Sequence, residues 1–249
     1  MILTRRQWLA SGLAVSASSS LLATSLFAAE TGDLVYANPL KSPADVAKFR
    51  MEGDAKIDFP NGRMQLSALR DAAEGQASNF VYWCPEVFPD HVEISWNFWP
   101  LKEPGLCILF FAAGGVNGEH ILSPKLKPRA GIYDQYTKSD VQALQISYYR
   151  RRWEEERAFH LANLRYAPGF EMLAQGADPL PDVEDAKPPY RIKIRKAGAT
   201  VAFTINDLPV VNWTGAADRQ WPTVGSIGFR QMAPLVAEYA DLEVRRIKV

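Results

Sequence analysis

The chain has 249 residues, 47% of them hydrophobic, with 28 basic and 28 acidic side chains. That is ample apolar material for a packed core, at a length that an all-β sandwich fills as one domain. The neutral balance argues against a nucleic-acid partner, and there is no acidic tail.

The chain opens on "TRRQWLASGLAVSASSSLLATSLFAAE", with Arg5 and Arg6 ahead of a modest Ala- and Ser-rich apolar run. That layout reads as a secretory leader of the twin-arginine type over residues 1–29. The run is too short and too Ser-rich for a membrane span. Without Arg5 and Arg6, 26 basic residues face 28 acidic ones. The expected destination is the periplasm or beyond, with residues 30–249 forming one domain and no membrane association after cleavage. Cys84 and Cys107 each lie in an apolar run, so they read as buried free thiols, with pairing after export the alternative.

Ser42-Pro43 before "ADVAKF" predicts the start of a short helix. "HVEISWNFWP" alternates: Val92, Ile94, Trp96 and Phe98 face one way, Glu93, Ser95, Asn97 and Trp99 the other. "GLCILFFAA" is apolar on both faces and predicts a central strand. "NGEHILSPKLKPRAGIYDQY" is a long Gly- and Pro-containing segment, the kind of loop that carries function on a rigid sandwich. "ALQISYYRR" and "FHLANLRY" predict two further strands, with "RRWEEERAF" between them as a solvated loop. A long Pro-rich loop follows at "GADPLPDVEDAKPP". "PYRIKIRKAGATVAFTIND" is the clearest hairpin, turning at Gly198, and "SIGFRQM" and "YADLEVRRIKV" give the last strands. No repeat or low-complexity tract interrupts this series of short strands.

The strings "NFVYWCPEVFP", "EPGLCILFFAA", "YDQY", "FHLANLRYAPGF", "AQGADPLP" and "IGFRQMAPLVAEYADLEV" together resemble the YesU-like family, from Leu34 to Val249. The resemblance implies an all-β, concanavalin A-like jelly-roll sandwich of two curved antiparallel sheets with few short helices. It also implies an association with breakdown of pectin, particularly rhamnogalacturonan. Many sandwiches of that kind hold a structural calcium between an early loop and a late strand, for which Glu52 and Asp241 are the candidate ligands here. The family brings no settled reaction, and a fold alone supplies none.

Retaining glucanases on this fold carry Glu-x-Asp-x-x-Glu on one strand, placing two carboxyl groups about 5–5.5 Å apart. No such string occurs, and "EISWNFW" offers Glu93, Ser95 and Asn97 instead. Cleavage of an acidic polysaccharide by β-elimination needs donors for the uronate carboxylate and a tuned proton acceptor. His160 and Tyr136 are the candidate catalytic residues for that chemistry. Gln135, Gln145, Tyr149, Arg151, Arg165, Arg230 and Gln231 are the candidate polar contacts to sugar, and Trp99 a stacking platform, with Trp83, Trp153 and Trp221 of the same type. On an ideal strand His160 and Arg165 point to opposite faces, so only one of them lines a groove directly. The expected function is binding and cleavage of acidic plant-type polysaccharide fragments without a required cofactor. The alternatives are a non-catalytic glycan-binding module and a glycoside hydrolase with carboxylates from separate strands.

Overall fold

A computed structural model of the protein describes residues 26–248. The leader expected over residues 1–29 lies almost wholly outside them. Fifteen strands form two antiparallel sheets. They run β1 (Glu30–Asn38), β2 (Arg50–Glu52), β3 (Ala55–Asp58), β4 (Met64–Ala68), β5 (Phe80–Phe88), β6 (Val92–Lys102), β7 (Leu106–Gly115) and β8 (Val141–Tyr148). The series ends with β9 (Leu161–Ala167), β10 (Glu171–Ala177), β11 (Tyr190–Ala197), β12 (Thr200–Ile205), β13 (Leu208–Thr214), β14 (Gly225–Met232) and β15 (Val236–Lys248). One sheet has the order β13-β12-β11-β6-β15-β4-β3, with β1 also paired to β15. The other has the order β10-β9-β8-β7-β14-β5-β2. Among the described residues, the short helices α1 (Asp134–Thr137) and α2 (Glu154–Ala158) lie on the connections between strands. Among the described residues no helix is long and apolar enough to cross a membrane.

Alternation decides what each sheet buries. On β6, Val92, Ile94, Trp96 and Phe98 enter the core between the sheets, as their period of two predicts. Tyr190, Ile192 and Ile194 of β11 do the same, and β11 pairs with β12 down to Ala197 and Thr200 at the Gly198 turn. Facing them across the core, the seven-stranded sheet supplies Cys107, Leu109 and Phe111 of β7, Leu144 and Ile146 of β8, and Ile227 and Phe229 of β14. Trp96 stands edge-on to Phe229, with centroids 6.1 Å apart, and its Nε1–H donates to the Tyr148 hydroxyl at 3.2 Å. Cys84 and Cys107 are both buried as free thiols.

β7 is a central strand as expected, but its second apolar row has a different use. Leu106, Ile108 and Phe110 point away from the inter-sheet core and pack with Val81, Trp83, Ile121 and Tyr136. The 116–140 connection lies over this outer face, so part of the seven-stranded sheet is covered twice.

Three local expectations change. Residues 43–48 form turns rather than a helix, held by Asp45 Oδ2 accepting from the Lys41 and Ser42 N–H groups at 2.9 Å. "YDQY" is a helical turn, closed by Thr137 N–H to Tyr133 O (3.2 Å) and Lys138 N–H to Asp134 O (2.8 Å). "WEEERA" contains α2 rather than an open loop. Its Glu156 carboxylate accepts from the N–H of Arg152 (3.1 Å) and Trp153 (3.3 Å) and pairs with Arg150, which caps the helix start.

The edges of the sheets meet at Gly176 of β10. A Cβ there would lie 1.7 Å from the Val210 carbonyl oxygen on β13, a backbone clash that only glycine avoids. Gly176→Ala is expected to destabilise the protein by about 1–3 kcal/mol in urea unfolding, because the strand has no flexible neighbour to displace. Burial also pushes the Cys107 thiol and the Tyr82 phenol up to about 12. Both stay protonated in the native state while the unfolded chain ionises, at about 8.5 for Cys and 10 for Tyr. Unfolding therefore releases protons, and stability is expected to fall as pH rises from about 9 to 12, read as a falling urea midpoint.

Candidate functional site

On the outer face of the seven-stranded sheet, cross-strand register places one polar row beside another. Arg230 of β14 pairs with Ile108 of β7, which pairs with Ser147 of β8, which pairs with Asn163 of β9. The next row carries Phe110, Gln145 and Arg165. Above these rows lies a cleft of about 150 Å³. Leu106, Ile108 and Met232 line its apolar side. Tyr133, Trp153 and Phe170 supply aromatic surface, and Gln76, Ser147, Arg150 and Arg165 the polar groups. The mix of apolar wall with a few directed polar groups suits part of a polar ligand or chain.

Cations and rings alternate at this cleft. The Arg165 guanidinium lies 3.8 Å from the Phe170 ring centroid, Phe170 stands edge-on to Tyr133 at 5.4 Å, and Tyr133 lies 5.0 Å from the Arg230 guanidinium. Arg150 is neutralised by Glu156. Arg165 donates to the Phe170 carbonyl at 3.2 Å and Arg230 to Gln76 Oε1 at 3.1 Å. Among the described residues neither Arg165 nor Arg230 forms an ion pair, and no carboxylate lines the cleft. Burial lowers the pKa of both guanidiniums, yet arginine starts so high that both remain charged. Burial pushes the Tyr133 phenol up to about 12, against the nearby guanidiniums of Arg230, Arg165 and Arg150. Its hydroxyl donates to Gln145 Oε1 at 2.7 Å.

Behind the cleft, Glu52 at the end of β2 fixes the covering segment. Its Oε2 accepts from Trp83 Nε1 at 2.9 Å, Tyr136 OH at 2.8 Å and Arg129 Nε at 3.2 Å, and its Oε1 from Arg129 Nη2 at 2.7 Å. Tyr136 is wholly buried, tilted against Phe110 and Trp83, and also accepts the Gly131 N–H at 3.1 Å. Burial first, and then the Glu52 carboxylate, hold its phenol far above the ordinary tyrosine range. Tyr136 is therefore a structural anchor, not the proton acceptor that its neighbourhood in sequence suggested. Gln135 is also structural: its Oε1 accepts the Ala130 N–H at 2.7 Å.

Of the candidate residues, Arg165 and Trp153 line the cleft, and Gln145 and Arg230 lie behind its Tyr133 wall. His160, Tyr149 and Arg151 belong to a separate cluster. β8 ends at Tyr148, and Tyr149 takes a left-handed backbone (φ 48°), so the alternation that put Tyr149 and Arg151 beside Gln145 stops there. Tyr149 packs in the core, with its hydroxyl donating to Glu103 and its N–H to Asp178 Oδ2 at 2.7 Å. Arg151 is 0% exposed and fully engaged, with Asp182 Oδ1 at 2.7 Å, the Leu180 carbonyl at 2.7 Å and His160 Nδ1 at 2.8 Å. This cluster ties the 178–183 loop to the end of β8. His160 precedes β9 and serves that loop rather than the cleft.

Gln231 and Trp99 are also displaced from the expected groove. Gln231 follows Arg230, so a pleated strand turns it to the core. There it donates to the Leu66 and Leu235 carbonyls at 3.2 Å and accepts from Tyr239 OH at 2.7 Å. Trp99 lies on the outer side of the other sheet, 4.5 Å beneath the Arg63 guanidinium. Glu52 and Asp241 stand in different sheets, Glu52 taken up by three donors and Asp241 accepting from Asn97 Nδ2 at 3.0 Å. The two do not come together as calcium ligands, and among the described residues no group of three or more His, Cys, Asp or Glu converges as a metal site.

Tyr133, Phe170, Gln76 and Arg150 are site residues that the sequence reading did not select. Phe170 closes the Pro168-Gly169 turn between β9 and β10, a visible turn signal. Gln76 arrives from a 3-10 segment (Ala72–Ser78), and no sequence pattern links it to β14.

Residues 33–244 match the family model described as "Domain of unknown function (DUF1961)". The Bacillus subtilis (strain 168) protein described as "Uncharacterized protein YesU" is 46% identical over 217 residues, 86% of this chain and 96% of that protein. A Bacillus subtilis crystal structure, described as a protein of unknown function with galectin-like fold, superposes with a TM-score of 0.84 at 45% identity. It covers 88% of this chain and 98% of its own. The potassium-bound carbohydrate recognition domain of Emp46p superposes with a TM-score of 0.56 at 11% identity, covering 85% of this chain and 96% of its own, which shows a shared fold.

Tyr136→Phe is expected to cost about 1.5–3 kcal/mol in chemical unfolding, the range for a hydrogen bond to a charged acceptor. It is expected to speed hydrogen exchange in residues 129–137 while the rest of the sandwich keeps its protection.

Proposed function

We propose that this chain, which belongs to the DUF1961 family together with YesU of Bacillus subtilis, binds acidic plant-type polysaccharide in the cleft on its seven-stranded sheet. The observation that carries this reading is the pair of guanidiniums, Arg165 and Arg230, set among aromatic rings with no carboxylate to neutralise either. Sugar C–H faces pack on rings such as Trp153 and Phe170, and a uronate carboxylate supplies the negative charge that the cleft lacks. The likeness to a carbohydrate recognition domain supports the carbohydrate class on the side of the fold. Pectin- or rhamnogalacturonan-like fragments are the proposed source of the acid. Export through a twin-arginine leader to the periplasm or beyond belongs to the same proposal and rests on residues 1–29.

Binding is favoured over cleavage. β-Elimination needs a group that takes a proton at neutral pH, and Tyr133, the one phenol lining the cleft, keeps its own. Its contact with Gln145 and Arg230 is what recommends the lyase as the second reading, since those residue types stabilise an enolate-like charge. A double-carboxylate hydrolase is not proposed, because among the described residues no Asp or Glu lines the cleft.

Calorimetry with oligogalacturonate, rhamnogalacturonan fragments and their carboxyl-reduced counterparts tests the reading. The acidic forms are expected to bind more tightly by about tenfold or more, with affinity falling as salt rises. Arg165→Gln is expected to remove about tenfold of that affinity. Ultraviolet absorbance of an unsaturated uronate product should stay flat. Equal affinity for acidic and reduced forms would refute the proposal, and a rising absorbance would promote the lyase.

A further inference from the structure

Arg230 presents an unusual inventory of donors. The residue is 1% exposed, yet its Nε and Nη1 are buried without any hydrogen-bond partner, and only Nη2 is engaged, on Gln76 Oε1. Gln145, which like Arg230 contacts Tyr133, is 1% exposed, and its Nε2 is likewise buried without a partner. Buried donors in native proteins are nearly always satisfied, and a charged one left unpaired is costly. All three orphaned atoms are donors, so what would satisfy them is an acceptor, and the guanidinium charge makes it an anion.

Tyr133 connects both orphans to the cleft. Its ring lies against the Arg230 guanidinium, and its hydroxyl occupies the carbonyl end of Gln145. Tyr133 and Gln76, the two side chains that contact Arg230 in these ways, also line the cleft. Arg230 therefore stands one side chain behind the cleft wall. Tyr133 precedes the four-residue helix α1 in the long 116–140 connection, and its other neighbour, Phe170, is a half-exposed turn residue. Both rings sit on connections, whereas Arg230 and Gln145 sit on central strands.

We infer that Arg230 and Gln145 form a carboxylate subsite behind Tyr133. When the Tyr133 ring turns aside, the uronate carboxylate of a sugar in the cleft is received by the Arg230 guanidinium and by Gln145 Nε2. The exchange replaces one neutral hydrogen bond and one cation–π contact with charge-assisted hydrogen bonds. The inference rests on the glycan reading for its ligand but not for its geometry. It also assigns the two cleft cations different tasks. Arg165, partly exposed, attracts the acid, and Arg230, dry, holds one carboxylate at a fixed place.

The test follows the Arg230 side-chain Nε–H resonance of the full chain by NMR, which a buried guanidinium keeps observable. The titrants are a galacturonate trimer, the carboxyl-reduced trimer, and propionate as a free carboxylate. The acidic trimer is expected to shift this resonance saturably while the reduced trimer leaves it in place. In parallel calorimetry, Arg230→Gln should weaken the acidic trimer at least about tenfold and the reduced trimer less than about twofold. If both trimers bind and the resonance stays still, the subsite is refuted and the glycan reading survives. If propionate shifts the resonance and neither trimer binds, the subsite stands and the glycan reading falls. If no carboxylate moves the resonance, the subsite is refuted whatever the variant does, and this arm needs no variant to fold.

Discussion

The carboxylate of Glu52 sits where three parts of the chain must agree. Trp83 reaches it from the outer face of β5, Tyr136 from α1, and Arg129 from the segment that leads into α1. The Arg129 and Glu52 side chains are 4% and 13% exposed, so the charges are removed from water and satisfied by each other and by neutral donors. This arrangement lays the 116–140 connection against the outer apolar row of β7. Without that cover, Leu106, Ile108 and Phe110 would be an exposed apolar stripe in the middle of a sheet. With it, the stripe is split. One part becomes a second small core, and the rest becomes the floor of a cleft whose wall is Tyr133. The site is thus a by-product of how one loop is anchored, and the anchor is a carboxylate at a sheet edge.

Two arginines of the seven-stranded sheet, Arg151 just past β8 and Arg230 within β14, show how differently the fold treats the same group. Arg151 has no exposed surface and is surrounded by acceptors: a carboxylate, two carbonyls and an imidazole nitrogen. A buried guanidinium so engaged does structural work, here holding the 178–183 loop. Arg230 has the same burial and a single acceptor. Burial by itself therefore does not distinguish a structural cation from a functional one. The count of satisfied donors separates the two residues, and it supports the role proposed for Arg230.

Much of the fold was readable from period two alone. Val92 to Phe98, Tyr190 to Ile194 and the Gly198 turn declare which residues are buried and where the chain reverses. The resemblance to the YesU-like family added the two-sheet architecture, which alternation could not supply. The site was readable only where a strand continued. Gln145, Arg165 and Arg230 are on uninterrupted strands and face outward as the pattern demands. Tyr149 and Arg151 lie one and three residues past the end of β8, where a single left-handed residue cancels the parity on which their placement depended. Gln231 failed for the opposite reason: its strand does continue, and adjacent residues on a pleat cannot share a face. Tyr133, Gln76 and Phe170 come from connections, where no periodicity exists to be read.

The proton inventory of the cleft argues for holding a ligand rather than breaking it. Catalysis by proton transfer needs a group whose affinity for a proton lies near that of the solution. The titratable groups around this cleft hold their protons far more tightly than that. The guanidiniums keep their protons, and burial holds Tyr133 protonated. The imidazole of His160 and the carboxylate of Asp182 lie 3.4 Å apart but belong to the loop-holding cluster, away from the cleft. A cleft of fixed charges and rings presents the same face at every neutral pH. That constancy suits recognition of a permanently ionised sugar, whose strength is set by ionic screening and not by the titration of the protein.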